Sequence, residues 1–236
     1  MRPALLCSAL LLLFAQALSA PTARAARASL PPQQVQLDAL TRDTQKHSLG
    51  NGRMEVVWWI PPEYWQISVA QQKDATPEVL SGLSQTFNDY NIVAVVQATV
   101  ADDMEYRFTP EADVRDSTVL IDPQGRTHAV LAEDKIPTRL AATLAFLKPV
   151  LANGIGPMGR SMYFLVFPGN DAQGRRLIDP LGDGVARVQT TNKRHDFRLP
   201  LGSLLPDKRD TTTGESFPGD FLYNPYTGRQ LDVPRP

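Results

Sequence analysis

The chain has 236 residues, with 24 Lys and Arg against 25 Asp and Glu, and 42% of its residues are hydrophobic. That length and apolar content suit one folded domain with a small appendage. The near-balance of charge, with no long basic run beyond Lys193-Arg194-His195, excludes the basic stripe of a nucleic-acid binder.

Met1-Arg2-Pro3 followed by the apolar run Ala4 to Leu18 reads as a secretory signal, because a run of 15 residues falls short of the ~20 needed to span a bilayer. Cleavage is expected after Ala25 rather than Ala20, since Pro21 fits a protease's extended binding site badly. Cys7 lies inside this run and is the only cysteine, so a mature chain would hold no disulfide, no cysteine nucleophile and no thiolate metal site. No later stretch is apolar and long enough to cross a membrane. Arg outnumbers Lys threefold, as in GC-rich bacterial genomes, and a periplasmic or secreted location is expected. Residues 26–50, which contain Pro, Gln and Ser and show weak periodicity, read as a linker or loose N-terminal arm.

Order is expected from Met54. Met54–Ile60 is β-branched and aromatic, Pro61-Pro62 interrupts it, and Trp65–Gln71 resumes a strand pattern. Thr76-Pro77-Glu78 starts a helix, with Val79, Leu80, Leu83, Phe87 and Tyr90 at helical spacing. Asn91–Val100 is apolar on both faces, as a central strand is. Further strands are expected at Met104–Thr109, Ser117–Asp122 and Thr127–Ala132, the last two joined by the turn Asp122-Pro123-Gln124-Gly125. A second helix opens at Ile136-Pro137 with Leu140, Leu144, Leu147 and Leu151 on one side, to be kinked or ended by Pro149. Ser161–Gly169 is a buried strand, and Val185–Thr191 with His195–Leu199 forms another hairpin. The expected fold is α+β: a mainly antiparallel β sheet or sandwich with two inserted helices in residues 51–206, then a small β-hairpin or ribbon-like segment in 207–236.

Motifs for chemistry are sparse. Gly154–Gly159 spells GxGxxG, but a helix precedes it and a strand follows, the reverse of a dinucleotide-binding turn, so a helix-stopping loop is expected. Asp171–Arg175 echoes Asp122–Arg126, and both read as β-turns rather than a calcium loop. His47, His128 and His195 sit in a presumed loop, beside a turn and after a basic turn, without metal-ligand spacing. No nucleophile or metalloprotease motif occurs. Trp58, Trp59, Tyr64 and Trp65 form the one aromatic cluster. On a strand Trp58 and Trp59 face opposite sides, so either both are core or one is exposed to stack on a sugar ring or anchor a partner.

Near the C-terminus one pattern occurs twice: Asp210-x-x-Thr213-Gly214 and Asn224-x-x-Thr227-Gly228. The segment resembles a zinc ribbon whose four cysteines are replaced, with Pro225 and Tyr226 filling the second turn. Arg198–Asp207 (RLPLGSLLPD) is similar to the stretch before the ribbon in a group of proteobacterial secreted proteins; the likeness implies a terminal ribbon and carries no function. Asp, Asn and Thr oxygens can accept the inward amides of such turns, with Phe217, Phe221, Tyr223 and Tyr226 bracing them and no metal needed. The functional expectation is a non-enzymatic binding or assembly protein with an unknown protein or glycan partner and no cofactor. The alternative is a hydrolase-like enzyme with an acid/base site assembled from distant residues. Burial of both Trp58 and Trp59, together with His128 beside carboxylates in a cleft, would favour the alternative.

Overall fold

The computed structural model describes residues 27–73, 76–101 and 105–232; the expected signal segment, Asp102-Asp103 and Met104 lie outside them. The fold is α+β with antiparallel sheets. The larger sheet is built on β2 (Arg53–Ile60), flanked by β1 (Gln45–Gly50) and β3 (Tyr90–Val100). The far edge of β3 is shared by β4 (Tyr106–Phe108) and by a later strand, β7 (Tyr163–Pro168). The smaller sheet has β5 (Val119–Ile121) and β6 (Thr127–Ala129) beside the hairpin β8 (Gly184–Gln189) and β9 (Arg194–Leu199), in the order β6-β5-β8-β9.

Strand periodicity assigns the faces. The register pairs Glu55 with Gln97, Val57 with Val95 and Trp59 with Val93, so these share one face, while Met54, Val56, Trp58 and Ile60 share the other. The first face packs on the smaller sheet, with Trp59 edge-on to Phe197 of β9 at 5.8 Å. The second is covered by helices. Trp58 packs edge-on to Tyr64 of α2 (Pro62–Ala70) at 5.2 Å, and its Nε1 donates to Thr44 Oγ1 at the end of α1 (Leu37–Thr44) at 3.2 Å. Trp65 stacks on Phe87 of α3 (Pro77–Phe87) at 4.5 Å. Every residue of β2 after Arg53 is buried, as is Asn91 to Ala98 of β3, which explains why both strands are apolar on both faces apart from Glu55, Asn91 and Gln97.

Three expectations are corrected. Residues 26–50 are not a loose arm where described: they supply α1 and β1, with Val35, Leu40 and Thr44 at 3%, 0% and 0% exposure. Trp65–Ala70 is helix, with Gln71 as its C-cap, and not strand, because Pro62 occupies the first turn of α2, where no amide donor is required. Helices also exceed the two expected: α1, α2 and α4 (Glu111–Ser117) join α3 and α5 (Thr138–Ile155). Pro149 does not end α5, which runs on to Gly156 at φ +79°. The helix stays in place because Leu140 and Leu144 are buried and Leu147 and Leu151 pack on the core. A Cβ on Gly159 would lie 2.0 Å from the Ala152 carbonyl oxygen, so this glycine lets the chain fold back against the last turns of α5.

If α1 is core, Leu40→Ala should destabilise the protein by about 2–5 kcal/mol in urea unfolding, whereas truncation in a loose arm would cost almost nothing.

Candidate functional site

The four aromatic residues singled out in the sequence are all buried: Trp58 4%, Trp59 1%, Tyr64 8% and Trp65 3% exposed. No ring face is offered to solvent as a stacking platform. Trp58 and Tyr64 nevertheless reach the wall of a cavity of about 420 Å³ between α1, the start of β1 and the end of α5. Asp38, Thr41 and Gln45 supply its polar groups, and Val150 and Leu151 its apolar wall. Burial pushes the Tyr64 hydroxyl pKa up, a hydrogen bond with Thr41 offsets part of this, and nearby Asp38 adds to it. Trp59 and Trp65 take no part in this cavity.

A second polar arrangement was not found from sequence. His195 Nε2 of β9 lies 2.5 Å from Glu55 Oε2 of β2, and Gln97 Nε2 of β3 donates to Glu55 Oε1 at 2.5 Å. These side chains are 4%, 1% and 3% exposed, and they come from positions 42 and 140 residues from Glu55. The available signal was a lone Glu in MEVVWWI and a lone Gln in NIVAVVQATV, each inside a strand buried on both faces. Such a group must find a partner across the sandwich, because an unpaired buried polar group costs roughly 1–3 kcal/mol. Glu55 also borders a polar cleft at the end of the sandwich. His47 is in β1, not a loop, and its Nε2 is 3.0 Å from Gln45 Oε1.

His128 Nε2 lies 2.9 Å from Asp122 Oδ2, but both belong to one hairpin. Asp122 is a turn anchor. Its Oδ1 accepts from the amides of Gln124 and Arg126, and its Oδ2 accepts from Arg126 Nε at 2.7 Å. Burial acts to raise the Asp122 pKa, but the bonds from His128 and Arg126 outweigh it and hold the carboxyl below its ordinary value. Asp171 repeats this with the amides of Gln173 and Arg175 and with Arg175 Nε, so the echo between the two segments is one turn design used twice.

The C-terminal pattern forms two matching turns behind the hairpin β10 (Lys208–Arg209) and β11 (Ser216–Phe217). Asp210 Oδ1 accepts from the amides of Thr212 and Thr213 at 2.9 and 3.2 Å; Asn224 Oδ1 accepts from Tyr226 and Thr227 at 2.9 and 3.3 Å. Each turn closes with a glycine amide on the leading residue's carbonyl, 2.8 Å in both, at φ +76° for Gly214 and +70° for Gly228. Asn224 Nδ2 donates to Asp210 Oδ2 at 2.7 Å and joins the turns; this bond, then the Thr212 and Thr213 amides, lowers the Asp210 pKa against the effect of burial. Phe217 is buried and stacks with Phe221, but Tyr223 and Tyr226 are 58% and 85% exposed and do not brace the turns as expected.

Among the described residues, no three His, Cys, Asp or Glu side chains are placed to hold a metal ion, and no helix is long and apolar enough to cross a membrane. No protein-family model matches the chain, and no curated protein or solved structure is found similar to it.

Because the folded Asp122 pKa lies below the unfolded value of 3.8, its stabilisation is complete at neutral pH and is lost as pH falls through the folded value. Asp122→Asn should therefore cost about 2 kcal/mol at pH 7, and the gap to the parent should narrow in urea unfolding as pH drops below about 3.8.

Proposed function

We propose that the chain is an exported, non-enzymatic binding or assembly protein of the bacterial periplasm or exterior. The observation that carries this reading is the cavity walled by Trp58 and Tyr64. Its size and mixture of aromatic, aliphatic and a few converging polar groups are those of a small-molecule site. The Asp38 carboxyl, the Gln45 amide and the Thr41 and Tyr64 hydroxyls suit a hydroxyl-rich ring, with Val150 and Leu151 against its apolar face. A glycan unit is the ligand class. Export rests on the signal pattern of residues 1–25.

The C-terminal segment reads as a ribbon that has dispensed with metal. In support, the two turns present their amides to Asp210 and Asn224, and a bond between these side chains joins the turns. Tyr226, Leu222 and Tyr223, exposed on this segment, offer it as the assembly element of the protein.

The second reading is a hydrolase-like enzyme. It is favoured by Glu55 and His195, an acid/base pair drawn from distant strands beside a cleft. The parts of a concave site are present, but His128 and Asp122 are absorbed in a hairpin turn.

On a glycan array the full chain should retain a defined set of sugars, and Asp38→Ala or Gln45→Ala should weaken retention at least about tenfold, or 1.4 kcal/mol. Absence of glycan binding, or binding that both variants leave unchanged, contradicts the proposal.

A further inference from the structure

The end of the sandwich holds a second cleft, of about 470 Å³, formed where two hairpin tips from opposite sheets approach. One tip is the β1–β2 turn, with Asn51 at φ +51° and Gly52 at φ +66°; the other is the β8–β9 turn, closed by the Thr190 amide and hydroxyl on the Lys193 carbonyl. Arg53 Nη1 donates to Asn192 Oδ1 at 3.3 Å and ties the tips together. Ser48, Asn51 and Asn192 contribute polar side chains to the lining, alongside Arg53, Lys193 and Glu55.

The charges in this cleft do not balance. Arg53 and Lys193 are exposed, and among the described residues neither is ion-paired. Glu55 is the acid in the lining, but its Oε1 already accepts from Gln97 and its Oε2 faces His195. Two cations thus meet one carboxyl whose oxygens are both engaged within the core. A concave site in which one sign of charge is in excess focuses its field on a counter-ion, and here the excess is positive, two cations to one carboxyl. Guanidinium and ammonium groups are the side chains that hold phosphate and carboxylate, the former in bidentate fashion.

We infer that this cleft binds a small oxyanion, its charge held between the Arg53 guanidinium and the Lys193 ammonium, with the hydroxyl of Ser48 and the amides of Asn51 and Asn192 as donors. Leu49, 80% exposed at the rim, supplies an apolar contact for the body of an organic anion. The site is separate from the glycan cavity and does not depend on it. It also does not require turnover at Glu55 and His195.

Calorimetric titration of the full chain with inorganic phosphate, glycerol phosphate and acetate tests this, with ionic strength held constant by sodium chloride. Saturable heat with any of the three supports the site. A tighter fit for glycerol phosphate than for phosphate identifies an ester as the ligand, and heat from acetate extends the class to carboxylates. Arg53→Ala and Lys193→Ala should each weaken binding at least tenfold, and Arg53→Lys should recover part of the loss. Both residues are exposed, and the Arg53 bond to Asn192 is a solvent-exposed contact of 3.3 Å, so melting without anion should shift little in these variants, and Lys193→Ala, which leaves that bond in place, separates lost binding from lost folding. No heat with any anion, or equal affinity in parent, Arg53→Ala and Lys193→Ala, overturns the inference.

Discussion

The two sheets are held in register by a polar contact in a largely apolar interface: Glu55 of β2 between Gln97 of β3 and His195 of β9. Burying a carboxyl group and an imidazole removes both from water, and the loss is recovered only when each polar atom finds a partner of good geometry. The pairing therefore constrains more than two residues. β9 must lie across β2 with His195, Phe197 and Leu199 inward, and a slip of one residue would turn all three to solvent and bring Arg194 and Asp196 into the core. The same alignment sets Trp59 against Phe197 and brings the two hairpin tips together.

The opposite face of the large sheet has a different logic. There the contacts are mostly apolar and the helices supply them: Tyr64 and Thr44 lie against Trp58, and α2 is in turn backed by α3 through Trp65 on Phe87. The polar positions that remain on α1 and β1 line the cavity at their edge. The two cavities described above thus lie on either side of β2. The sandwich-side cleft sets Arg53 and Lys193 beside Glu55, and the helix-side cavity mixes aromatic and neutral polar groups with Asp38.

Much of the fold was legible where local chemistry decides it. Thr76-Pro77 caps α3, with the Val79 amide 3.4 Å from Thr76 Oγ1, and Asp122-Pro123-Gln124-Gly125 makes the hairpin turn its residues require. The doubled Thr-Gly pattern gave the spacing of two matched turns, which the structure builds from Asp210 and Asn224. Tertiary context decided the rest. Gln45–Gly50 is too polar to announce itself as a strand, and it becomes one because β2 offers an unpaired edge. Trp65–Gln71 has strand composition, yet the proline at its start and burial against α3 make it helix as far as Ala70. Glu55, Gln97 and His195 are separated along the chain, so only strand register could bring them together.

The most direct test of the account is a double-mutant cycle on the sandwich contact. Glu55→Leu, His195→Leu and the double variant would be compared by urea unfolding at pH 7. Each single change should cost about 3–5 kcal/mol, because it strands a buried partner. The double change should cost at least ~1 kcal/mol less than the sum of the two, because neither group is then left alone. Additivity within about 0.5 kcal/mol would contradict the claim that this pair locks the two sheets together.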